Sequence, residues 1–158
     1  MSIYNILIEK FEKQLKSYNN IDYKPCVVFD IDGTILVDGN YAPESNDDII
    51  QDVYNFLLYL QRKNIDIFII TARPDSPTNR RGTVKMLQNL NINFVYLYMW
   101  DDYDHITYKE LARKDIYEHD YNIIMSLGDN YWDYGKYGGL GVHIYDDGEY
   151  IKFIYDFL

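Results

Sequence analysis

Apolar positions along the chain keep two different periods. Between residues 2 and 18, Ile3, Leu7, Phe11 and Leu15 recur every fourth position, the pattern of an amphipathic helix. Such a helix is expected to dock on the rest of the protein, a second subunit being the other surface it would fit. Asn19 and Asn20 end it. Val27, Val28 and Phe29 then open an apolar run too short for a helix and rich in β-branched residues, which reads as a buried strand. Residues 36–43, centred on Asp38-Gly39-Asn40, read as a small hairpin or flap. Ser45 with Asp48 forms a helix N-cap, and Ile49, Val53, Phe56, Leu57 and Leu60 supply the buried stripe of the helix that follows. Residues 65–71 form a second strand, and Pro77 marks an irregular loop before a helix carrying Val84, Leu87 and Leu90. A third strand over 94–100, a helix over 107–118, and strands over 122–127 and 140–145 complete the series. The apolar C-terminal tail is expected to pack back on the whole.

Strands separated by helices predict parallel βαβ units with right-handed crossovers. The fold expected is α/β: a single doubly wound, Rossmann-like domain, with about five strands in a central parallel sheet, helices on both faces and no large cap. The N-terminal helix (1–20) adjoins an α/β core (24–158), without linker, repeat or low-complexity block. A length of 158 residues suits one domain with a substantial core. The net charge of −10 argues against a protein that grips extended nucleic-acid backbones, which needs Lys and Arg surfaces. Cys26 is the single cysteine, so no internal disulfide forms, and a reducing, cytoplasmic setting is expected. No segment is apolar enough to span a membrane, and Glu9 and Lys10 break any signal-peptide shape at the N-terminus.

Chemistry enters at the strand ends. The first apolar run stops in Asp30-Ile31-Asp32-Gly33-Thr34, two carboxylates one residue apart. Asp and Gly also serve ordinary turns, and an EF-hand calcium loop is a second competitor. The latter fails because Ile35 and Tyr41 stand where that loop needs Gly and Glu. Thr71 ends the second strand, Asp129 and Asp133 follow the fourth, and Lys109 lies just after the third. In a parallel sheet these termini share one edge, so the residues converge. Clustered carboxylates call for a hard cation such as magnesium, and a phosphate then needs donors and positive charge opposite. The composition suits phosphoryl transfer.

Asp30-Ile31-Asp32-Gly33-Thr34 resembles the first motif, D-x-D-G-T, of the haloacid dehalogenase (HAD)-like phosphatases. Thr71 is similar to their second motif, Lys109 to their third, and Gly128-Asp129 with Asp133 to their fourth, in the same order. Tyr108-Lys109 and Gly128-Asp129-Asn130-Tyr131-Trp132-Asp133 resemble more narrowly the acid-phosphatase-like, class IIIB branch; Ala72 stands where many relatives have glycine. The resemblance implies a magnesium-dependent phosphomonoesterase with Asp30 as nucleophile and Asp32 as acid and base. Thr71 would contact the phosphoryl group and Lys109 would balance charge. Mg2+ would be held by Asp30, Asp129 and the Asp32 carbonyl, with Asn130 and Asp133 beside the metal or behind it. Gly33, Ala72 and Arg73 are further candidates for substrate contact. The alternative substrate reading is a polynucleotide 3′-phosphatase or nucleotidase, and a catalytically silent binding or storage protein is the alternative of another class. Neither interval in which such enzymes insert a cap has room for one, so an open site is expected, or one covered by a second copy in a homo-oligomer.

Some residues keep two readings. Arg73, Arg80 and Arg81 would face a phosphate or solvent. His105, His119 and His143 lack metal-site spacing and read as surface or packing residues. Tyr96, Tyr98 and Trp100 alternate along a strand, which favours a core face over a base-stacking platform.

Overall fold

The computed structural model describes residues 1–39 and 43–158. Helix α1 (Ile3–Ser17) opens the chain, its first turn closed by Ser2, whose hydroxyl accepts from the Asn5 amide. Strand β1 (Lys24–Phe29), helix α2 (Gln51–Arg62), strand β2 (Asp66–Pro74), helix α3 (Pro77–Asn89) and strand β3 (Tyr96–Trp100) follow. Helix α4 (His105–Glu118) and strands β4 (Tyr121–Gly128), β5 (Leu140–Tyr145) and β6 (Tyr150–Ile154) complete the order. Among the described residues, six strands form one sheet in the order β3-β2-β1-β4-β5-β6, parallel except for β6.

The two-residue period of β1 divides the core. Val27 and Phe29 face one side with Leu7 and Phe11 of α1, Phe56 and Leu60 of α2, and Leu87 of α3. Cys26 and Val28 face the other with Tyr108, Ala112 and Ile116 of α4. Helices therefore cover both faces, three against one. The N-terminal helix docks as expected, with Leu7 and Phe11 fully buried against α2 and β4.

The structure corrects several boundaries. Ser45 and Asp48 do not start α2. The Asp48 carboxylate accepts from the Glu44 and Ser45 amides at 2.9 and 3.2 Å, closing a 3₁₀ turn over Asn46–Asp48, and the helix begins at Gln51. Ile49 instead bridges antiparallel to Leu36, at the root of the flap expected over 36–43. That flap lies partly outside the described residues. Strand β2 runs on past Thr71 to Pro74, which pairs with Trp100 after a shift in register. The tail does pack back, but as a sixth strand: β6 pairs with β5 through Tyr150↔Tyr145 to Ile154↔Gly141. Gly148, at φ +90°, turns the chain between them. On β3, Leu97 and Met99 are the buried residues, while Tyr96, Tyr98 and Trp100 share the more exposed face.

Candidate active site

Strands β1 and β4 lie side by side at the centre of the sheet. The chain leaves them for opposite edges, a topology that opens a crevice beyond their carboxyl ends. Asp30 follows β1 directly, its amide donating to the Leu127 carbonyl of β4 at 3.0 Å. Asp129 follows β4. Two glycines let the acids crowd together. A Cβ on Gly33, where φ is +77°, would lie 2.2 Å from Asp129 Oδ2, and one on Gly128 would lie 2.1 Å from Asp133 Cβ. The Gly33 amide itself donates to the Leu36 carbonyl at 2.8 Å, so it serves the turn and not a bound phosphate.

Lys109 reaches into the cluster from α4. Its Nζ lies 3.2 Å from Asp30 Oδ1 and 2.7 Å from Asp133 Oδ1, and donates to the Ile70 carbonyl at 2.7 Å. Lys109 and Asp133 are shut away from solvent, with side chains 2% and 1% exposed. Asp133 Oδ2 accepts from the Asn130 amide at 3.0 Å. Both oxygens of Asp133 are thus committed, although Asp30, Asp129 and Asp133 each bring an oxygen within 4.8 Å of the others. Asp30 and Asp129 are the two of this cluster that open on the cleft.

One lysine does not neutralise three acids. Burial, then Asp133 and Asp129, hold the Asp30 carboxyl well above its ordinary pKa against the pull of Lys109. Burial and then Asp133 raise Asp129 too, partly offset by a hydrogen bond with Asp30. Burial opposes the charge on Lys109, but Asp133 and Asp30 outweigh it and its pKa is raised. A hard divalent cation between Asp30 and Asp129 is the group this donor set fits, because its charge restores both carboxylates.

The cleft holds about 230 Å³ and is lined by Asp30, Asp32, Asp38, Ala72, Arg73 and Asp129, with His105, Asn130 and Trp132 along its rim. Larger hollows elsewhere, about 400 and 570 Å³, each carry a single carboxylate, so volume is a poor guide here. Thr71 is fully buried behind the wall; its hydroxyl accepts from the Arg73 amide at 3.2 Å and its carbonyl from the Tyr108 hydroxyl at 2.8 Å. Asp32, one residue past the buried Ile31, meets a different cation. Arg73 grips it with both arms, Nε to Oδ2 at 2.9 Å and Nη2 to Oδ1 at 3.0 Å, while Nη1 donates to Thr83. Arg73 is buried, so its solvent-facing reading falls away. Arg80 lies outside the cleft, held by Asp75 at 3.0 Å and the Leu97 carbonyl at 3.0 Å, and Arg81 is exposed on α3.

Sequence reasoning passed over four contributors. Arg113 is buried beneath the loop after β4 and donates to the Trp132 and Lys136 carbonyls, each at 2.9 Å. Burial lowers its guanidinium pKa to about 10. Asp38, His105 and Trp132 line the cleft, where His105, read as a surface or packing residue, packs between Trp100 and Trp132. His119 is exposed, and His143 stacks on Tyr145 as a packing residue. No local pattern marks these cleft residues; only the converging loops bring them together.

The sequence matches the family model described as HAD superfamily, subfamily IIIB (acid phosphatase), over residues 42–154, downstream of the Asp30/Asp32 pair. No curated protein matches. Among solved structures, the chain is similar to one in "Structure of Pnkp1/Rnl/Hen1 complex", with a TM-score of 0.54 and 21% identity, covering 72% of this chain and 41% of that one. It is also similar to one in "Structure of the Pnkp1/Rnl/Hen1 RNA repair complex", with a TM-score of 0.54 and 19% identity, covering 73% and 39%. The protein thus spans about two fifths of those chains and shares their fold over its own greater part. With that fold, the acidic cluster and the match over most of its length, the chain belongs to subfamily IIIB of the HAD superfamily, the acid phosphatases.

Proposed function

We propose that the protein is a magnesium-dependent phosphomonoesterase working through an aspartyl-phosphate on Asp30. The observation that carries this reading is the separation of two nearby acids into different cationic settings. Asp30 sits buried against Lys109, and Asp32 is held by Arg73 in the cleft wall. Two carboxylates in distinct environments can take distinct roles.

Asp30 attacks phosphorus in line, forming an Oδ–P bond as the bond to the leaving oxygen breaks. Asp32 takes up a proton and turns out of the Arg73 fork, gives that proton to the leaving oxygen, and then takes one from the water that cleaves the acyl phosphate. Lys109 offsets charge on Asp30 from below, and Asp133 fixes Lys109. The Thr71 hydroxyl, behind the cleft wall, accepts from the Arg73 amide and so fixes the backbone that carries Arg73 into the cleft. Magnesium held by Asp30, Asp129 and the Asp32 carbonyl would supply the positive charge that the cluster and an incoming phosphate dianion lack.

A nucleotide or a 3′-phosphorylated polynucleotide end is the second substrate reading. The 75–95 interval carries only the turn, helix and connection of one βα unit, and an open cleft of this kind admits a bulky leaving group. The RNA-repair assemblies among the structural relatives support the same direction.

The test is hydrolysis of an aryl phosphate by the parent and by Asp30→Asn, each with EDTA and with added magnesium. Turnover restored by magnesium in the parent and absent from the variant is the expected result. Equal turnover in both proteins would remove Asp30 as nucleophile.

A further inference from the structure

On the face of the sheet packed by α4, a hollow of about 570 Å³ opens, lined chiefly by Phe68, Tyr96, Tyr98, Tyr121, Asp115 and His119. It belongs to the edge of the sheet opposite the acidic cleft. Tyr121 begins β4 and Asp129 follows its end, and the eight residues of that strand rise about 26 Å. Asp115 and His119 stand in and just after the last turn of α4, whose first turns carry His105 and Lys109 toward the cleft.

Four aromatic rings wall the hollow in two edge-to-face pairs. Tyr96 and Tyr98 lie 4.8 Å apart at 71°, and Phe68 and Tyr121 lie 4.9 Å apart at 80°. Edge-on packing of this kind holds the rings in place yet leaves ring faces uncovered that a stacked pair would hide. Both phenol protons point at acids. The Tyr98 hydroxyl donates to Asp115 Oδ2 at 2.7 Å, and the Tyr121 hydroxyl to Asp66 Oδ2 at 2.7 Å. Donation to a carboxylate polarises a phenol and makes its ring more electron-rich. The wall therefore presents negative ring faces.

The charges around it are unevenly met. Lys24 pairs with Asp66 at 2.8 Å, and Asp75 pairs with Arg80, whose guanidinium lies 6.0 Å from the Tyr96 ring. His119 is exposed, its Nδ1 2.7 Å from the Asp115 carbonyl oxygen. Asp115 is the carboxylate that lines the hollow itself, and its side chain is 52% exposed.

We propose that this hollow is an aromatic cage for a small quaternary ammonium ion, a binding site separate from the phosphatase cleft. A cation over ring faces is drawn by their quadrupoles, and more strongly as it sheds water. A primary ammonium brings three N–H donors and a guanidinium five, all of which need acceptors. The lining side chains offer one carboxylate, with one oxygen already taken by Tyr98. A quaternary nitrogen has no N–H to satisfy, and its methyl groups bury apolar surface against the rings. The volume falls in the usual small-ligand range of about 300–1,000 Å³, which favours a free molecule over a lipid surface.

Calorimetry at pH 9, where His119 is neutral, tests the cage with choline and with 3,3-dimethylbutan-1-ol, its uncharged carbon isostere. Magnesium is present throughout to screen the cleft acids. Choline is expected to bind saturably and to shift the ¹³C-labelled ring signals of Tyr96, Tyr98 and Tyr121. The isostere binds at least tenfold more weakly. Tenfold is about 1.4 kcal/mol, the scale of one or two cation–π contacts. Tyr98→Leu and Tyr96→Ala each weaken choline at least tenfold, and Asp115→Asn at least threefold. Tyr96 is 52% exposed, so its truncation leaves the fold intact, which an unchanged urea midpoint verifies.

No saturation by about 50 mM choline overturns the cage, as do equal binding of the two alcohols and parent-like affinity in folded Tyr96→Ala. Ring shifts absent from all three tyrosines do the same. Phosphatidylcholine vesicles that bind more tightly per headgroup than choline overturn the free-ligand source, and weaker binding supports it. None of these readouts uses turnover, so the cage and the phosphatase reading fail separately.

Discussion

Removing the Lys109 ammonium tests the electrostatic frame of the site directly. Lys109→Met keeps most of the side-chain volume and deletes one charge that faces Asp30 at 3.2 Å and Asp133 at 2.7 Å. It also leaves the Ile70 carbonyl without its donor. Breaking a buried ion pair from one side costs about 3–5 kcal/mol, and an orphaned buried acceptor about 1–3, the two overlapping because they share one group. The deficit near neutral pH should therefore be about 3–5 kcal/mol, a large share of a typical domain stability of about 5–15. Its pH dependence has a definite sign. The Asp30 carboxyl titrates higher in the folded protein than its ordinary value of 3.8. Its ionisation therefore opposes folding, a penalty absent below the unfolded value that grows as pH rises through the folded one. Lys109 is raised from 10.5, so its contribution is whole throughout the acid and neutral range and is lost only as pH climbs through that higher value. Without Lys109, Asp30 is pushed further up and the deficit widens from pH 5 to pH 8. Urea unfolding of both proteins at the two pH values, in EDTA, measures it. A gap below about 1 kcal/mol, or one larger at pH 5 than at pH 8, would refute the reasoning.

Further outcomes follow from particular contacts. Gly33→Ala places a methyl against Asp129 at a positive φ, so it should abolish turnover and lower the melting temperature, since left-handed backbone alone costs about 1–2 kcal/mol. Retained activity would mean the turn relaxes freely. Arg113→Met frees the Trp132 and Lys136 carbonyls, and hydrogen exchange over 131–137 should speed up at least tenfold along with a fall in kcat/KM. Unchanged exchange there would show that Arg113 does not hold the loop. Arg73→Lys cannot reproduce a two-armed grip on Asp32, so kcat should fall about tenfold or more with little change in unfolding midpoint, a difference that kinetics and urea titration separate.

Much of this was legible because strands and helices of an α/β fold announce themselves through period. Val27 and Phe29 against Cys26 and Val28 divide the core as a buried parallel strand must, and Asp30 breaks that run where the sheet ends. Sequence order also predicted that Asp30, Lys109, Asp129 and Asp133 would meet, because parallel topology leaves their strand ends no other edge. What escaped it depends on contacts between loops. Nothing near Arg73 says that its partner is Asp32, 41 positions away. Strand β6 was hidden because Tyr150–Ile154 carries exposed and half-buried residues with a lysine among them, as an edge strand should. The start of α2 was misplaced because Ser45 and Asp48 close a 3₁₀ turn with the same chemistry that caps a helix.

The position of β1 and β4 in the middle of the sheet has a consequence for how the protein fails. Asp30 and Asp129 are anchored to its two innermost strands, whereas Trp100 belongs to the edge strand β3 and His105 to the first turn of α4. Openings of a native protein begin at edges and helix ends and reach the centre only at the global limit. Mild heating should therefore loosen the cleft rim at Trp100 and His105 while Asp30 and Asp129 still hold their places.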